Sequence, residues 1–213
     1  MTDTAAPRSA KGARTRARLL DAAREVFERL GFLDARVSDI VEAAGLSHGS
    51  FYHYFDSKEQ VFREVAETLE AALTAPAGGD GVGDEGRAAP ASEYERILGA
   101  NRLYLERYRA NARIMGVIEE VSRYDDHVNQ ARMRRQKHFA DRAERAVRRL
   151  QAAGQADPAV DPAIAALALG SMVARTAELW LVQGWDDYDV DAVAEQLSRL
   201  WANALGLAVA PPT

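Results

Sequence analysis

Apolar residues recur every three or four positions along most of the chain, a spacing typical of amphipathic α-helices. The first such segment has one apolar stripe, formed by Leu19, Ala23, Val26, Phe27 and Leu30. Gly31 follows directly and predicts the end of that helix, with Phe32 folding back onto the stripe. Alternating segments typical of strands are nearly absent, and no Asn-Gly hairpin turn occurs. We therefore predict an all-α fold of about nine helices.

Two short helices are predicted next, joined by the turn Gly45-Leu46-Ser47. The first begins near Val37 and stops at Gly45, and Ser47 is the predicted N-cap of the second, His48–Phe55. The inward-facing side chains of the second helix are Phe51, Tyr54 and Phe55. Two short helices that cross at such a turn have the geometry of a helix-turn-helix. A capping box at Ser57 and Gln60 then opens a fourth helix.

The amino-acid composition changes between Ala75 and Ala91, where two prolines and five glycines predict a flexible loop. Beyond this loop, Ser92 and Glu95 form a second capping box, and Asp161-Pro162 is a strong helix start. The remaining helices are predicted at about 92–110, 113–121, 126–153, 162–183 and 190–207. We predict two domains: an N-terminal arm with the helix-turn-helix over residues 1–56, and a larger helical domain over residues 57–213.

The outer face of the second short helix is suited to a DNA major groove. Gly49 and Ser50 are small enough for close approach, whereas His48 and His53 can reach base edges or phosphates. Tyr52 offers a hydroxyl for a phosphate. The helix N-termini at Ser38 and Ser57 present free amides that favour phosphate, and Lys58 adds a positive charge there. The spacing alone leaves open a second interpretation, in which three core helices simply have a solvated outer face.

The net charge of the chain is −5, so any positive charge for nucleic acid must be local. Five basic residues and no acidic residue occur between Thr4 and Leu20. They are Arg8, Lys11, Arg14, Arg16 and Arg18. Such a run by itself is more often a solvated tail, but in front of a helix-turn-helix it favours an arm that lies along the DNA backbone.

Three motifs occur together and in order: Thr15 to Phe27 with Gly31-Phe32, then Val37 to Ser47, then His48 to Glu59. This stretch, about Thr15 to Leu69, resembles the N-terminal domain of the tetracycline-repressor (TetR) family. The resemblance implies an all-helical homodimer that represses transcription from operator DNA until a small ligand binds. It also places Ser47, His48, Ser50, Tyr52, His53 and Lys58 at positions that commonly touch the operator. Arg36 departs from the family pattern, which often has a capping threonine there, so the start of the second helix is less well defined by sequence.

The last two helices carry apolar residues on more than one face, so they must be buried in a core or against another subunit. The resemblance favours a twofold four-helix interface built from these helices, which also matches paired DNA half-sites. The candidate interface residues are Leu169, Val173, Leu197, Leu200 and Trp201. The middle helices would enclose a small apolar or aromatic effector. The candidate lining residues, each of which is individually more often plain core, are Leu103, Tyr104, Tyr108, Met115, Ile118, Phe139, Met172, Thr176 and Trp180.

Other classes of protein are less compatible with the sequence. The chain has no cysteine, no HExxH motif and no phosphate-binding loop, and His127 and His138 lack metal-ligand partners at suitable spacing. We therefore expect neither catalysis nor a metal or other cofactor. No stretch approaches the roughly 20 apolar residues of a membrane span, and the N-terminus has no apolar leader segment. The sequence thus predicts a bacterial cytoplasmic protein without a membrane partner.

Three questions remain open. The basic run over residues 132–149 is most simply a solvated helix face, with a second DNA surface or an anionic ligand such as an acyl-CoA head group as the minor interpretation. A DNA-bound scaffold protein without a ligand would share the N-terminal half completely. An activator would have the same sequence features as a repressor, because the position of the operator relative to the promoter decides whether DNA binding activates or represses transcription.

Overall fold

The computed structural model describes residues 10–75 and 92–208, and within these ranges it contains nine α-helices and no strand. The predicted all-α fold is thereby confirmed. The helices are α1 (Ala10–Asp34), α2 (Val37–Ala44), α3 (His48–Tyr52), α4 (Lys58–Thr74), α5 (Glu93–Ala110), α6 (Ala112–Val121), α7 (Asp126–Ala152), α8 (Pro162–Leu181) and α9 (Val190–Leu205). Arg8 and nearly all of the glycine-rich segment predicted as a loop lie outside the described residues.

Helix starts agree with the capping signals in the sequence. The Ser92 hydroxyl accepts the Glu95 N–H at 3.2 Å, and the Glu95 carboxylate accepts the Ser92 N–H at 3.3 Å, so both halves of the predicted capping box form. The Asp161 carboxylate accepts the Ile164 N–H at 2.8 Å, with Pro162 as the first helical residue of α8.

Gly31 interrupts α1 as the sequence predicts. Its φ of 74° and ψ of 176° are not helical, and this positive φ is favourable for glycine alone. The chain therefore changes direction and brings Phe32 back towards the helix it has just left. The Phe32 ring lies 5.9 Å from the ring of Phe27 and 4.9 Å from the ring of Phe62 on α4.

The chain divides into two compact units. The head unit comprises the residues up to Ala71 together with Arg113–Arg132, and the body unit comprises Ala72–Ala112 and the residues from Met133 onward. The head unit thus contains α1 to α3, most of α4, most of α6 and the beginning of α7. The domain boundary at residues 56 and 57 stays a prediction.

The core of the head unit is aromatic. Phe27, Phe51, Phe55 and Phe62 are all at most 1% exposed, and the rings of Phe27 and Phe62 meet edge to face at 5.0 Å. Burial of such rings dominates the hydrophobic stabilisation of a small helical unit. This core fixes which face of each short helix remains in solvent.

In the body unit, α5 packs against both α9 and α8. A second cluster of buried residues joins the end of α7 to α8 and α9. Its members are Val147, Leu150, Ala156, Ala165 and Leu205, with the partly buried Leu169 and Trp201 packed against it. These contacts hold α8 and α9 in place within one subunit and leave part of their surface uncovered.

Helix α8 is an exception to the prediction that no stretch of the sequence approaches the length and apolar character of a membrane span. Among the described residues it is the one helix that by length and composition alone is able to cross a membrane, and only 39% of its most apolar stretch is buried. The longest uninterrupted apolar run is the shorter segment Ala163–Gly170, because Arg175 and Glu178 interrupt the later turns. Part of the apolar surface of α8 is therefore not covered by the described residues.

Candidate DNA-binding surface

The turn between α2 and α3 has the predicted geometry. Gly45 ends α2 with φ 61° and ψ 41°, and the N–H of Leu46 donates to the Val41 carbonyl oxygen at 2.8 Å. These are the bonds of a glycine C-cap. Ser47 then caps α3, because its hydroxyl accepts the Ser50 N–H at 3.2 Å.

Helix α3 is shorter than predicted. The sequence predicts a helix over His48–Phe55, whereas the structure has His48–Tyr52 followed by a turn. The N–H groups of Tyr54 and Phe55 both donate to the Phe51 carbonyl oxygen at 2.9 Å, so the chain stays coiled to Phe55 without forming a regular helix.

The two faces of this segment differ as expected. Phe51 and Phe55 are buried and Tyr54 is half-buried, whereas Tyr52 is 57% exposed. His48, Gly49 and His53 are also exposed, and Ser50 is half-buried with its hydroxyl 3.1 Å from that of Ser47. The exposed face therefore carries two imidazoles and a phenol over a small residue. Groups of this kind can donate and accept hydrogen bonds at base edges and phosphates.

The start of α2 is the other candidate phosphate site in this motif. Arg36 precedes the helix in an extended conformation, and its N–H donates to the Asp39 carboxylate at 2.8 Å. A guanidinium group has no acceptor, so the side chain of Arg36 cannot accept the Asp39 N–H, which donates instead to the Arg36 carbonyl oxygen at 3.1 Å. The side chains of Arg36 and Ser38 are both exposed.

Two of the basic residues predicted for a DNA-binding arm have partners inside the head unit. Arg16 forms a two-pronged ion pair with Glu64, and its guanidinium lies 5.0 Å from the centre of the Phe55 ring. Arg18 donates to the carbonyl oxygen of Ala44 at the end of α2. Lys11 and Arg14 are exposed on the first turns of α1. No local sequence pattern indicates these internal pairings, because the partners lie 26 to 48 positions away.

Lys58, which the sequence predicts as a phosphate contact, also has partners inside the head unit. Its ammonium group donates to the carbonyl oxygens of Phe32 and Ala35 at 2.7 and 2.9 Å, with Leu33 at 3.3 Å. Of the predicted DNA-contacting residues, His48, Gly49, Tyr52 and His53 thus lie exposed in one segment. Ser47 precedes these residues as the cap of α3, and Ser50 lies among them in the first turn of the helix.

The candidate effector-binding residues are divided between the two units. Met115 and Ile118 on α6 are fully buried in the head unit, whereas the others belong to the body unit. There, the Tyr104 ring lies 5.8 Å from the ring of Tyr108 and 5.4 Å edge to face from the ring of Phe139. Trp180 is buried, and Leu103, Met172 and Thr176 are half-buried. The structure thus brings together three of the aromatic residues on α5 and α7.

The candidate interface residues differ in exposure. Val173 and Leu197 are buried within the subunit, and Leu169 and Trp201 are half-buried, so they offer little surface to a partner. Leu200 is 52% exposed. Ile164 and Leu167, which are not among the candidate interface residues predicted from the sequence, are 69% and 63% exposed on α8. The sequence signal for this exposed face was the helical spacing of positions 164, 167, 168 and 171, which share one side of α8.

The basic run on α7 is partly paired along its own helix. Lys137 donates to Asp141 at 2.8 Å, and Arg148 donates to Glu144 at 2.6 Å. Pairs of this kind are usual on a solvated helix face. Within residues 10–75 and 92–208, no three histidine or acidic side chains come close enough together to hold a metal ion.

A helix-turn-helix with an exposed, polar α3 in an all-helical chain defines the class of a DNA-binding regulator. Residues 19–65 match the sequence model described as "Bacterial regulatory proteins, tetR family". Among curated relatives, the chain is 53% identical over 55 residues to the "Uncharacterized HTH-type transcriptional regulator YdgC" of Bacillus subtilis, covering 26% of this chain and 28% of that protein. It is 46% identical over 50 residues to the "HTH-type transcriptional repressor KstR2" of Rhodococcus jostii, covering 24% of each. The chain thus matches about a quarter of the length of these relatives.

Solved structures extend the likeness to the whole fold. The fatty acid degradation regulator FadR from Bacillus halodurans superimposes with a TM-score of 0.70 at 17% identity, over 91% of this chain and 97% of that one. FadR from Bacillus subtilis in complex with stearoyl-CoA gives a TM-score of 0.65 at 16% identity, over 89% and 98%. Residues 19–65 thus resemble the TetR family of bacterial regulatory proteins, and the chain as a whole shares the fold of these solved structures. All four of these proteins are named as regulators, in agreement with the expectation that the chain is not an enzyme.

Proposed function

We propose that this protein is a homodimeric repressor that binds a palindromic operator and is released by a small, largely apolar ligand. The observation that carries the proposal is the exposed face of the α3 segment, where His48, Tyr52 and His53 are exposed while Phe51 and Phe55 of the same segment are buried in the core. The buried rings fix the position of the segment, and recognition of nucleobases requires side chains that are held in fixed positions. The regulator acts where its operator lies, in the bacterial cytoplasm.

The proposed dimer uses the uncovered face of α8 and α9. Ile164 and Leu167 on α8 and Leu200 on α9 are each more than half exposed. Water-exposed leucine and isoleucine side chains on such helices favour association with a second subunit. A twofold axis through this face presents two copies of α3 to two half-sites of one operator.

The proposed ligand is largely apolar because the body unit contains the cluster of Tyr104, Tyr108 and Phe139. Half-buried Met172 and Thr176 on α8 are further candidates to contact it. The structural neighbour FadR from Bacillus subtilis is in complex with stearoyl-CoA, which supports an acyl-CoA or another long apolar molecule as the first class to test. Under this proposal, ligand affinity must differ between the DNA-fitting and non-fitting states.

Selection of duplexes from a random-sequence pool tests the DNA-binding part of the proposal. We expect the purified protein to enrich a palindrome, with a binding constant that falls steeply as salt rises. A pool that shows no enrichment at low salt, with protein that is folded by circular dichroism, would contradict the proposal.

The ligand part is tested by adding long-chain acyl-CoAs and aromatic acids to the protein on its selected duplex. We expect at least one class to release the DNA, and Tyr104→Ala to weaken that release more than Tyr124→Ala, since Tyr124 is exposed in the head unit. The ligand-independent scaffold protein, by contrast, keeps its duplex affinity with every compound of the panel.

A further inference from the structure

The ammonium group of Lys58 is held by the segment that leads from α1 into α2. Its Nζ atom lies 2.7 Å from the Phe32 carbonyl oxygen, 3.3 Å from that of Leu33 and 2.9 Å from that of Ala35. It also lies 4.5 Å from the centre of the Phe32 ring. An ammonium group has three hydrogens and no acceptor, so these carbonyl groups use its full donor capacity.

We propose that Lys58 is a positioning residue, which fixes the turn before α2 against the start of α4 and contacts no DNA phosphate itself. The inference rests on the DNA-binding function proposed above and assigns this residue a different role in it. Lys58 is the first residue of α4, and its three acceptors lie between the kink of α1 at Gly31 and the start of α2. The contact therefore sets the direction in which the helix-turn-helix leaves α1.

A second contact joins the same two elements. The ring of Phe62, one helical turn beyond Lys58 on α4, lies 4.9 Å from the ring of Phe32. Lys58 and Phe62 share one face of α4 because they are four residues apart. The Phe32 carbonyl oxygen thus accepts a hydrogen bond from Lys58 while the Phe32 ring packs on Phe62. Helix α4 therefore holds this turn through both a polar and an apolar contact.

Salt dependence separates a positioning role from a phosphate contact. Each phosphate contact adds about 0.9 to the slope of log binding constant against log salt, so losing one makes the slope shallower by that amount. A residue that acts only through the position of the turn changes the binding constant and leaves the slope as it was. Replacement by arginine gives a further distinction, since arginine keeps the charge for a phosphate. Its planar group does not fit three carbonyl oxygens that converge on one nitrogen.

The experiment uses duplex recovered from a random-sequence pool with the wild-type protein. We expect Lys58→Met and Lys58→Arg both to weaken binding by about tenfold or more, at the wild-type salt slope, and both to lower the melting temperature of the free protein. Lys137→Met, on a paired surface lysine of α7, is the matched control and leaves affinity and melting temperature unchanged. A slope that becomes shallower in Lys58→Met while Lys58→Arg binds like wild type would overturn the proposal.

Amine labelling of the wild-type protein gives a test that needs no substitution. The chain has three lysines, Lys11, Lys58 and Lys137, so mass spectrometry can follow each one separately. We expect Lys58 to acetylate much more slowly than the other two in the free protein, and at the same rate with or without the duplex. Labelling of Lys58 as fast as Lys137 in free protein, or protection that depends on DNA, would contradict the proposal. Failure of every duplex to bind would instead remove the proposed function, and the labelling of free protein would still decide whether the Lys58 contact exists.

Discussion

The guanidinium group of Arg63 on α4 holds the carboxylate of Asp125 directly before α7, with 2.9 Å between Nε and Oδ2. The same carboxylate accepts the N–H groups of His127 and Val128 at 3.0 and 3.1 Å, and so caps α7. Asp125 thus ties two helices of the head unit together and starts one of them. Its pKa reflects these contacts. Burial, the largest single influence, raises it, but the hydrogen bond from Arg63 and the two N–H groups together bring the pKa below its ordinary value of 3.8.

This carboxylate predicts a pH-dependent contribution to the stability of the head unit. A lowered pKa means that the contribution is complete above pH 3.8 and is lost as the pH falls through the lower pKa of the folded state. We expect Asp125→Ala to lower the free energy of unfolding at neutral pH by about 1–2 kcal/mol, because the cap is lost. Asp125→Asn keeps a capping oxygen and should cost less, but should flatten the acid limb of the stability curve. Urea denaturation at a series of pH values measures both. An acid limb in Asp125→Asn as steep as in wild type would contradict this role.

A buried polar contact between α5 and α9 predicts a non-additive pair of substitutions. The Asn101 amide donates to the Ser198 hydroxyl at 3.0 Å, and that hydroxyl donates to the Ala194 carbonyl oxygen at 2.6 Å. Ser198→Ala leaves a buried amide hydrogen without an acceptor, so we expect a loss of about 1–3 kcal/mol. The double variant Asn101→Leu with Ser198→Ala removes both partners and should lose less than the sum of the single variants. Additive losses in thermal denaturation would show that the two groups do not interact.

We expect replacement of Arg36 by threonine to stabilise the protein. The side chain of Arg36 offers no acceptor to the first turn of α2, where the Asp39 carboxylate accepts the Arg36 N–H but no side chain at position 36 accepts the Asp39 N–H. Arg36→Thr supplies a hydroxyl acceptor and should raise the free energy of unfolding by about 0.5–1 kcal/mol. It also removes an exposed positive charge at the start of the helix-turn-helix, so duplex affinity at low salt should fall. Arg36→Ala, which lacks the hydroxyl, is the control and should weaken DNA binding without the gain in stability. A stability gain of equal size in Arg36→Ala would refute the capping argument.

The exposed face of α8 and α9 predicts the oligomeric state. We expect wild type to sediment as a dimer, and Leu167→Glu and Leu200→Glu each to shift it towards a single chain, because a charge buried in an apolar interface is costly. Met133→Glu is the matched control, since Met133 on α7 is 50% exposed outside this face. A wild-type monomer at micromolar concentration, or dissociation by Met133→Glu alone, would contradict the proposed interface.

Much of the fold could be predicted from the sequence because its helices carry local signals. The capping residues Ser92 and Asp161 and the glycine at position 45 act on neighbours within a few residues, and the structure confirms the boundaries that they predict. Gly31 interrupts α1 as predicted, but the helix continues to Asp34 beyond it. The end of α3 was harder to place, since Tyr54 and Phe55 continue the apolar pattern through a turn that is no longer helical.

The roles of individual charged residues were less accessible. Lys58 and Arg18 occupy positions that suit phosphate binding, but their partners are backbone carbonyl oxygens 23 to 26 residues away, which no side-chain pattern reveals. The same limit applies to Val173 and Leu197, because an apolar residue on a helix does not indicate whether its own subunit or a partner covers it. Local chemistry therefore predicted the elements, whereas tertiary contacts decided which residues remain available for function.

The most direct test of the central claim compares two exposed histidines of the head unit. His53 lies on the exposed face that begins at α3, and His127 lies on α7. On the selected duplex, we predict that His53→Ala and Tyr52→Ala each weaken binding by about tenfold or more, in line with about 1–3 kcal/mol for a base contact. His127→Ala should stay within about twofold of wild type, as is usual for a surface substitution. Wild-type affinity in both His53→Ala and Tyr52→Ala, with their melting temperatures unchanged, would contradict the account.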